Sequence, residues 1–534
     1  MSKFVVLTCG AVTDVGKGVT AASLGRLLKN RGLKVTIQKF DSYLNVDPGT
    51  MSPYQHGEVF ITDDGTECNL DIGHYERFLD VNLGRENNVT MGRLYSSVIN
   101  KERLGKYVGA TVQTIPHVSN EAKSCMLEMG KKGYDIVIIE IGGSVNKYET
   151  NVLFQAVREL ESEVGENNMF LIHVDLLPII EATGEIKIES LQSSIQKLNS
   201  VGLMPDCVVG RTIKGVSLSH ELKTRIARMC FLPGSEAVIQ NADVETVYEV
   251  PLNLEKEGLD SLVIKKFGFD VPKADLNSWQ FMVNNFKGHY PEVKICIVGK
   301  YTKVVDAYLS IEESLRHAAT FNQVKAKIEF IDAEDIEEFG VEKFLKGAKG
   351  IIVPHGWGSR GLNGMIQAIR YARESKIPYL GLGLGMQVAT IEFARNVLNL
   401  QDANTTEIDP NTENPVIDVM TEPKSLVMKG GTMRLGAYNC VLDPNSKSAK
   451  FYGKELILER HRHRYEFNLK YYEKFEKAGM ILAGMNPESK LIELIELQNH
   501  PFFIATIFEP DKISRPNKPH PLFLGFVNAA KSVR

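Results

Sequence analysis

The chain is 534 residues long, which favours two or three domains over a single one. Hydrophobic residues make up 43% of it and charged residues 24%, which excludes a mostly disordered chain, a collagen-like fibre and a small disulfide scaffold. The net charge of −4 provides no basic field, so we expect no nucleic-acid partner. Seven scattered cysteines without a CxxC pair are typical of reduced thiols in a cytoplasmic protein.

The N-terminal sequence predicts a buried strand and not a signal peptide. Its apolar run, Phe4–Leu7, is short and leads directly into a glycine-rich turn. No window approaches the roughly 18 uninterrupted apolar residues that a membrane span needs. We therefore expect a cytoplasmic location and no membrane partner.

Short apolar runs alternate with helical patterns along most of the chain. Runs with so few polar interruptions are typical of strands buried on both faces, which occur in parallel sheets covered by helices. The predicted strands are Phe4–Leu7, Lys34–Gln38, Ile136–Glu140, Phe170–Val174, Asp206–Val209, Val293–Val298, Lys327–Ile331, Gly350–Val353 and Tyr379–Leu382.

The pattern changes between residues 271 and 292, where two prolines, many polar residues and an exposed-looking Trp279 occur together. A fresh strand then opens at Val293. We predict two α/β domains, residues 1–270 and 293–534, with a linker over residues 271–292 that Trp279 anchors.

A phosphate-binding pattern follows the first predicted strand. A glycine loop runs from Gly10 to Gly18 and leads straight into a helical pattern, Val19–Lys29. Backbone N–H groups of such a loop face phosphate oxygens, and Lys17 would reach the β- and γ-phosphates. The spacing departs from the standard P-loop, and Gly18 replaces its Ser or Thr. A tight turn with a solvated lysine is the alternative, but the order of strand, loop, lysine and helix favours the phosphate site.

The missing hydroxyl leaves a magnesium ion short of one ligand, which carboxylates at strand ends could supply. Asp71 and Glu140 are the candidates. Glu140 ends an apolar strand, at the edge of a parallel sheet where α/β proteins bind ligands. Each acid alone is more often a surface or capping residue, and the phosphate loop favours the metal-ligand interpretation.

Long motifs resemble the CTP synthase family from about residue 3 to residue 530. They are Lys39–Pro53, His56–Phe60, Gly73–Phe78, Gly109–Gln113, Ile115–His117, Glu140–Gly143, Gly299–Tyr301, Gly430–Ala437 and Glu459–Glu466. The resemblance implies an N-terminal P-loop domain of the dethiobiotin-synthetase type, with a parallel sheet and helices on both faces. It also implies a C-terminal α/β domain of the class I glutamine amidotransferase type.

The resemblance further implies a reaction. ATP, as co-substrate with Mg²⁺, phosphorylates the C4 oxygen of UTP, and ammonia from glutamine then displaces phosphate. It implies Lys17 and Lys39 as catalytic residues that contact the ATP phosphates and the transferring group. The implied metal ligands are Asp71 and Glu140, and His56 and Val59 match a gate to the ammonia path. The implied assembly is a homotetramer, and a mixed assembly with a true CTP synthase is the alternative.

The binding residues carried over from the family form two sets. The ATP-binding set is Thr13, Asp14, Val15, Gly16, Lys17, Gly18 and Asp71. The acceptor-binding set is Thr13, Tyr43, His56, Gln113, Glu149, Lys187, Gln192 and Arg225.

The glutaminase motifs depart from the family at every triad position. The nucleophile position of the family string Gly-Ile-Cys-Leu-Gly-Met-Gln holds Gly383, and His-Pro-Glu has become Glu509-Pro510-Asp511. His355 stands in the glycine-rich oxyanion segment. A hydrolase needs a nucleophile, a base and an orienting group, so we expect no glutamine hydrolysis. A carboxylate hydrolase built on Glu509 and Asp511 is disfavoured, because acids two residues apart are usually solvated.

The acceptor segment also departs from the family. One of its lysines is replaced by Glu189, while Lys187 and Gln192 are kept. Like charges 4 Å apart repel by about 4 kcal/mol at an effective dielectric of about 20, which would disfavour a triphosphate. Arg225 lies near the family's second triphosphate lysine and could compensate.

Two hypotheses follow. The first is an ATP-dependent carbon–nitrogen ligase that phosphorylates a carbonyl oxygen of UTP or a uracil-like compound and aminates it with free ammonia or another amine. The second is a non-catalytic paralogue that binds nucleotide or assembles with a true CTP synthase as a regulatory subunit. The retained Lys17, Lys39, Asp71 and Glu140 favour the ligase, because a scaffold does not need them.

Overall fold

A computed structural model describes residues 2–10, 15–180, 182–419 and 433–533. Its strands, numbered along the chain, are β1 Lys3–Cys9, β2 Val35–Asp41, β3 Phe60–Ile61, β4 Glu67–Cys68, β5 Asn88–Thr90, β6 Ile136–Ile141, β7 Met169–Leu176, β8 Ile179–Ile180, β9 Glu185–Ile186, β10 Cys207–Thr212, β11 Val238–Ala242, β12 Glu292–Gly299, β13 Lys325–Asp332, β14 Gly350–Val353, β15 Tyr379–Leu382, β16 Asn404–Thr405, β17 Pro415–Val419, β18 Arg434–Leu442, β19 Leu456–His463, β20 Tyr465–Phe467, β21 Met480–Met485, β22 Ile492–Leu497 and β23 Phe503–Thr506.

The helices, numbered in the same way, are α1 Lys17–Asn30, α2 Pro53–His56, α3 Asp71–Leu79, α4 Met91–Arg103, α5 Ser119–Gly130, α6 Thr150–Val164, α7 Glu189–Ser200, α8 His220–Met229, α9 Val250–Glu257, α10 Leu259–Phe267, α11 Asn277–Phe286, α12 Leu309–Phe321, α13 Ala333–Phe339, α14 Val341–Leu345, α15 Leu362–Glu374, α16 Leu384–Asn396, α17 Lys447–Tyr452, α18 Tyr472–Lys477 and α19 Pro521–Lys531. None of these described helices is long and apolar enough to cross a membrane.

The chain divides into two compact units. The first comprises Met1–Pro48 and Asp71–Lys287, and the second comprises Gly49–Leu70 and Gly288–Arg534. This division differs from the predicted boundaries in two ways. The segment 49–70 packs with the second unit although the chain around it belongs to the first, and residues 271–287 belong to the first unit.

The first unit is built on a sheet of seven described strands in the order β11-β10-β7-β1-β6-β2-β5. Every neighbouring pair runs parallel. β1 and β6 are buried almost throughout, as strands covered on both faces must be. The predicted α/β class with a parallel N-terminal sheet is therefore confirmed. β1 lies in the interior of the sheet, so its carboxyl end opens between β6 and β7.

Trp279 is buried, so the prediction that it is exposed is wrong. It lies on helix α11 with 0% exposure, and its indole N–H donates to the Tyr248 carbonyl at 2.7 Å. Its ring also contacts Phe78, and the guanidinium of Arg26 lies 4.8 Å from the ring centroid. The polar residues of this stretch face outward while the tryptophan fills the core, so a helix packed on the first unit occupies much of the predicted linker.

The second unit has a sheet of nine described strands in the order β13-β12-β14-β15-β23-β22-β21-β18-β19. The strands from β13 to β23 run parallel, and those beyond β23 continue antiparallel. Apolar clusters cover both faces. The segment 49–70 adds helix α2 and the hairpin β3–β4 to this unit.

Candidate functional site

The loop between β1 and α1 holds its glycines against charged side chains. Gly16 has φ 75° and ψ 28°, a left-handed conformation that favours glycine. A Cβ on Gly16 would overlap the Arg211 guanidinium, and a Cβ on Gly18 would overlap the Asp71 carboxylate. Any side chain at these two positions would therefore displace the Arg211 or Asp71 side chain that packs against them. Thr13 and Asp14, both predicted to bind ATP, lie outside the described residues.

Lys17 opens helix α1 directly after this turn, and Val15 is buried just before it. The Lys17 ammonium lies 3.8 Å from Glu140 Oε1 and 3.4 Å from the Gly143 carbonyl. The positive end of the helix dipole and the lysine thus meet at the carboxyl edge of the sheet, a combination that favours anions.

Lys39 lies at the centre of a carboxylate cluster at the same edge. Its Nζ is 2.5 Å from Asp71 Oδ2, 3.1 Å from Glu140 Oε1 and 3.9 Å from Asp41 Oδ1. The register of β2 and β6 aligns Lys39 with Glu140, which explains the contact. Although burial alone would lower it, the Asp71 and Glu140 carboxylates raise the pKa of Lys39 well above its usual range. Lys39 is therefore a fixed cation.

The structure adds three residues that sequence reasoning missed. Asp41 follows Lys39 by two residues on β2, and burial raises its pKa to about 6 against the pull of Lys39. The Tyr75 hydroxyl donates to Glu140, and Tyr43, a predicted acceptor residue, donates to Asp41 at 3.1 Å. Arg211 donates to the Val15 carbonyl at 3.2 Å. Residues two apart on a strand point to the same face, so the sequence could have indicated that Asp41 lies beside Lys39.

The donor set of this cluster suits a magnesium ion. Asp71 and Glu140 present carboxylate oxygens at the sheet edge, and the Asp71 side chain is 23% exposed and thus reachable from solvent. Magnesium prefers oxygen ligands and commonly takes one or two carboxylates together with substrate phosphates. The two predicted ligands therefore fit the ion chemically.

The predicted acceptor residues of the first unit lie on several exposed loops and helix ends. Lys187 precedes helix α7 and contacts Glu185 at 2.9 Å. The hydrogen bond that Lys187 donates to Glu185 raises the pKa of Lys187. The Glu189 charge adds to this rise and the Arg225 charge opposes it, so all of these groups lie within electrostatic reach of Lys187. Gln113, Glu149 and Gln192 are exposed. His56 is exposed too, on the segment that packs with the second unit.

The solvent exposure of Glu189 lowers the repulsion that we expect between its carboxylate and a triphosphate. Both Glu189 and Arg225 are exposed to solvent. In water, like charges 4 Å apart repel by only about 1 kcal/mol, well below the sequence-based value of about 4 kcal/mol. The predicted barrier to a triphosphate is therefore too large.

The second unit contains the strand-to-helix elbow, and the residue at its turn, Gly383, has no side chain. Gly383 joins β15 to α16 with φ 55° and ψ −106°, and its N–H donates to the Thr506 carbonyl at 2.7 Å. A Cβ on Gly383 would lie 3.1 Å from the Cβ of His355. The space into which a residue at this elbow would extend is therefore bounded by the histidine of the neighbouring segment.

Glu509 and Asp511 are buried beside the elbow, not solvated. Glu509 is 2% exposed and Asp511 is 1% exposed. Burial raises the pKa of Glu509, which favours its neutral form. Burial also opposes ionisation of Asp511, but the neighbouring Lys512 holds the pKa of Asp511 well below its usual range. Asp511 Oδ2 also lies 3.8 Å from His355 Nε2.

Lys512 is a buried cation that sequence reasoning missed. Its Nζ lies 2.9 Å from Asp511 Oδ2, 3.0 Å from Glu58 Oε2 and 3.8 Å from Glu509 Oε2, and the side chain has 0% exposure. Glu58 also accepts hydrogen bonds from the Ser310 N–H at 3.0 Å and from its hydroxyl. Glu58, His355 and Asp511 lie close enough to suggest metal ligands, but the Lys512 ammonium already bridges the two carboxylates.

A cavity of about 390 Å³ opens beside this cluster within the second unit. Aromatic rings and two arginines line it, together with Glu58 and His355. The aromatic and basic members are Tyr54, Tyr301, Trp357, Arg360 and Arg462.

Comparison with known proteins agrees with this architecture. Residues 3–269 match the family described as "CTP synthase N-terminus", and residues 303–529 match "Glutamine amidotransferase class-I". A relative named CTP synthase from Carboxydothermus hydrogenoformans is 52% identical over 99% of both chains. Another of that name, from Caldanaerobacter subterraneus subsp. tengcongensis, is 50% identical over 100% of this chain and 99% of its own. The solved glutaminase domain of Trypanosoma brucei CTPS with bound acivicin is 37% identical, covering 45% of this chain and 95% of its own, with a TM-score of 0.43.

A P-loop unit with a parallel sheet, joined to a unit of the class I amidotransferase type, defines a class of ATP-dependent carbon–nitrogen ligases. The coverage of both units by full-length relatives then settles the family. The chain belongs to the CTP synthase family.

Proposed function

We propose that this protein is an ammonia-dependent ligase of the CTP synthase type without glutaminase activity of its own. It phosphorylates a carbonyl oxygen of UTP or a uracil-like acceptor and aminates the activated carbon with free ammonia or another amine. The proposal rests on a contrast between the two units. The Lys17, Lys39, Asp71 and Glu140 cluster is assembled, whereas the elbow offers Gly383 in place of a nucleophile.

The first unit supplies the groups for phosphoryl transfer. The γ-phosphoryl group passes from ATP to the acceptor oxygen, and charge spreads over the group while it moves. Lys17 and Lys39 neutralise this charge, and the cluster of carboxylates holds Lys39 in a single position. Bound Mg²⁺, held by Asp71 and Glu140, would add further charge neutralisation at the phosphates. The amine nitrogen then attacks the activated carbon, and phosphate leaves with the original oxygen.

The second unit supports the loss of glutamine hydrolysis in three ways. Gly383 has no nucleophilic atom, and His355 bounds the space beside it. Glu509 stands at the base position, so a buried carboxyl group replaces the imidazole that the family's histidine supplies there. Asp511, at the orienting position, is paired with Lys512. Thioester chemistry therefore lacks each of its participants.

The decisive experiment supplies the pure protein with ATP, Mg²⁺ and UTP, adding either ammonium or glutamine. We expect CTP, ADP and phosphate with ammonium, and neither CTP nor glutamate with glutamine. CTP formed from glutamine would overturn the loss of glutaminase activity. If ammonium yields no CTP, the next step is to screen uracil-like acceptors and amines for ADP release. No ADP release with any of them would support the non-catalytic paralogue.

The assembly is part of the same proposal. We infer a homotetramer of this chain, as the family resemblance implies, able to mix with a true CTP synthase. Light scattering of the pure protein with and without ATP and UTP measures its mass, and co-purification of two differently tagged chains measures mixing. A strictly monomeric protein under all these conditions would contradict the inference.

A further inference from the structure

A buried chain of polar side chains joins the phosphate loop to helix α7 within the first unit. The Thr8 hydroxyl lies 2.9 Å from His173 Nδ1, and His173 Nε2 lies 3.0 Å from the Ser194 hydroxyl. Ser194 in turn donates to Asp175 Oδ2 at 2.6 Å. Thr8, His173 and Asp175 have 0% exposure and Ser194 has 2%. We call these four side chains the relay.

The relay has one consistent direction of hydrogen-bond donation. The Ser194 hydroxyl has two acceptors within reach, Asp175 Oδ2 at 2.6 Å and the Leu191 carbonyl at 2.9 Å. Its single proton goes to one of them, with Asp175 the nearer, so Ser194 accepts from His173 Nε2–H. His173 Nδ1 is then the acceptor for the Thr8 hydroxyl. Burial lowers the pKa of His173 to about 3, in keeping with a neutral ring that donates at one nitrogen and accepts at the other. Every member is thus oriented by the next.

Both ends of the relay meet the loop that follows β1. Thr8 lies on β1 itself, and the Gly10 N–H donates to the Val174 carbonyl at 3.0 Å. The Asp175 carboxylate lies against Gly10, where a Cβ on that glycine would overlap it. A shift of the loop at Gly10 therefore moves Asp175, which moves the hydroxyl of Ser194.

Ser194 lies on the buried face of α7, the helix whose beginning carries the predicted acceptor residues. Lys187 precedes this helix, and Gln192 lies on its exposed face. A fully paired polar network in a dry interior orients its members more strictly than apolar packing does, because an unpaired member is costly. The relay is therefore a rigid connection between two segments that the proposed reaction must align.

We propose that Asp175 and Ser194 are positioning residues that couple nucleotide binding at the phosphate loop to the placement of the acceptor segment on α7. This inference rests on the proposed function, because it takes the loop as the ATP site and the start of α7 as the acceptor site. It concerns no group that reacts. The expected effect is thermodynamic: ATP and the acceptor each strengthen the binding of the other through the relay.

The test is hydrogen exchange of the full-length protein with and without Mg²⁺ and a non-hydrolysable ATP analogue. In the unmodified protein, the analogue should slow exchange in the phosphate loop and also in α7, the latter by about fivefold to tenfold, a modest coupling. Ser194→Ala should keep the protection of the loop and lose that of α7. Asp175→Asn, which keeps the shape but removes the charge, should reduce the effect on α7 in the same direction.

Ser193→Ala is the matched control, because the neighbouring Ser193 is exposed and bonds only its own helix, through the Glu189 carbonyl. It should behave like the unmodified protein. Protection of α7 that survives in Ser194→Ala, or that is absent from the unmodified protein while the loop is protected, would overturn the relay. If the analogue protects neither segment, the proposed ATP site fails and the relay fails with it.

Steady-state kinetics provide a second readout that a purely structural role would not move. With UTP and ammonium, Ser194→Ala should raise the KM for UTP by about fivefold or more while kcat changes less, and Ser194→Thr should restore much of the loss because it keeps the hydroxyl. An equal loss of kcat with an unchanged KM would contradict a positioning role.

Discussion

Two buried lysines show how surroundings decide what a cation can do. Lys39 lies next to Asp71, whose side chain is 23% exposed, so a ligand can reach the pair from solvent. Lys512 is enclosed by Glu58 and Asp511, and all three side chains have 0% exposure. Lys39 can therefore exchange a carboxylate partner for a phosphate oxygen, whereas Lys512 can only hold its neighbours together.

Replacing Lys39 by methionine should abolish synthesis. The substitution removes the cation that the proposed mechanism places at the moving phosphoryl group, and comparable losses of a preorganised charge cost about 100-fold or more in kcat. The measurement is ADP release in the presence of UTP and ammonium. Lys34→Met, at an exposed lysine just before the same strand, is the control and should keep full activity. An active Lys39→Met protein would remove Lys39 from the proposed mechanism.

Asp41 should make the first unit less stable as the pH rises. Its pKa is raised from 3.8 to about 6, so between about pH 4 and pH 6 the native state holds a proton that the unfolded chain has released. The free energy of unfolding should therefore fall across this window, by up to about 3 kcal/mol. Asp41→Asn should remove that decline.

The chain has two tryptophans, which allows the two units to be followed separately. In a Trp357→Phe background, urea unfolding seen by Trp279 fluorescence reports on the first unit, at each pH. Asp270→Asn, at an exposed carboxylate, is the control and should leave the decline in place. An Asp41→Asn profile that still falls between pH 4 and pH 6 would assign the effect to another group.

At the scale of elements, the elbow at Gly383 combines a left-handed backbone conformation with the absence of a side chain. The φ of 55° at Gly383 is a conformation that L residues adopt only at a cost. Strand β15, the turn and helix α16 nevertheless form with glycine at this position. The strand–turn–helix geometry therefore does not require a side chain at residue 383.

Restoring a cysteine at this elbow should not restore hydrolysis. Gly383→Cys would place its Cβ 3.1 Å from that of His355, and Glu509 would still stand where a base is needed. We expect no glutamate release above that of the unmodified protein, measured with glutamine in the presence of ATP and UTP. His355→Gly combined with Gly383→Cys is the matched variant that frees the space. Glutamate release by Gly383→Cys alone would show that the site needs only its nucleophile.

The segment after β23 depends on Lys512. Removing one partner of a buried ion pair typically costs about 3–5 kcal/mol, because the other charge stays buried. Lys512→Met should therefore destabilise the second unit by this amount, seen as Trp357 fluorescence during urea unfolding in a Trp279→Phe background. Lys518→Met, at an exposed lysine of the same segment, should cost almost nothing. Equal stability of the two variants would refute the buried pairing.

Sequence patterns were sufficient for the sheets and for bringing Lys17, Lys39, Asp71 and Glu140 together as candidate residues. The predicted strands such as Gly350–Val353 and Tyr379–Leu382 recur in the structure with the same bounds, because continuous apolar runs are buried on both faces. The burial of Asp41 and Lys512 could not be recognised, because it follows from tertiary packing, and for Lys512 also because its partner Glu58 is distant in the chain. The prediction that Trp279 is exposed was wrong for the same reason, because polar neighbours in the sequence do not determine which side of a helix faces the core.

At the scale of the whole molecule, the second unit is assembled from two separate stretches of the chain. Glu58 belongs to the segment 49–70, and its partner Lys512 lies in the stretch 288–534. A cut at the predicted boundary would therefore separate a buried anion from its cation. The contiguous stretch 288–534 alone is an incomplete unit.

The isolated fragment 288–534 should be less stable than the same unit in the full chain. It lacks Glu58, so Lys512 loses one of its buried carboxylates. The cost of one substitution should also fall: Lys512→Met should destabilise the fragment less than the full chain, because Asp511 is then the only one of the two close carboxylates left without its cation. Urea unfolding followed by Trp357 tests both statements. A fragment as stable as the intact unit, with Lys512→Met equally harmful in both, would contradict them.

Residues 49–70 belong to the second unit although they lie between two stretches of the first. The backbone therefore passes from one unit to the other three times, at Pro48–Gly49, Leu70–Asp71 and Lys287–Gly288. A single truncation at the gene level cannot release the second unit intact, because residues 49–70 are encoded between two stretches of the first. A gene that ends after Lys287 would still carry this segment, without the rest of the unit with which it packs. Substitution in place is therefore the change that leaves both units whole.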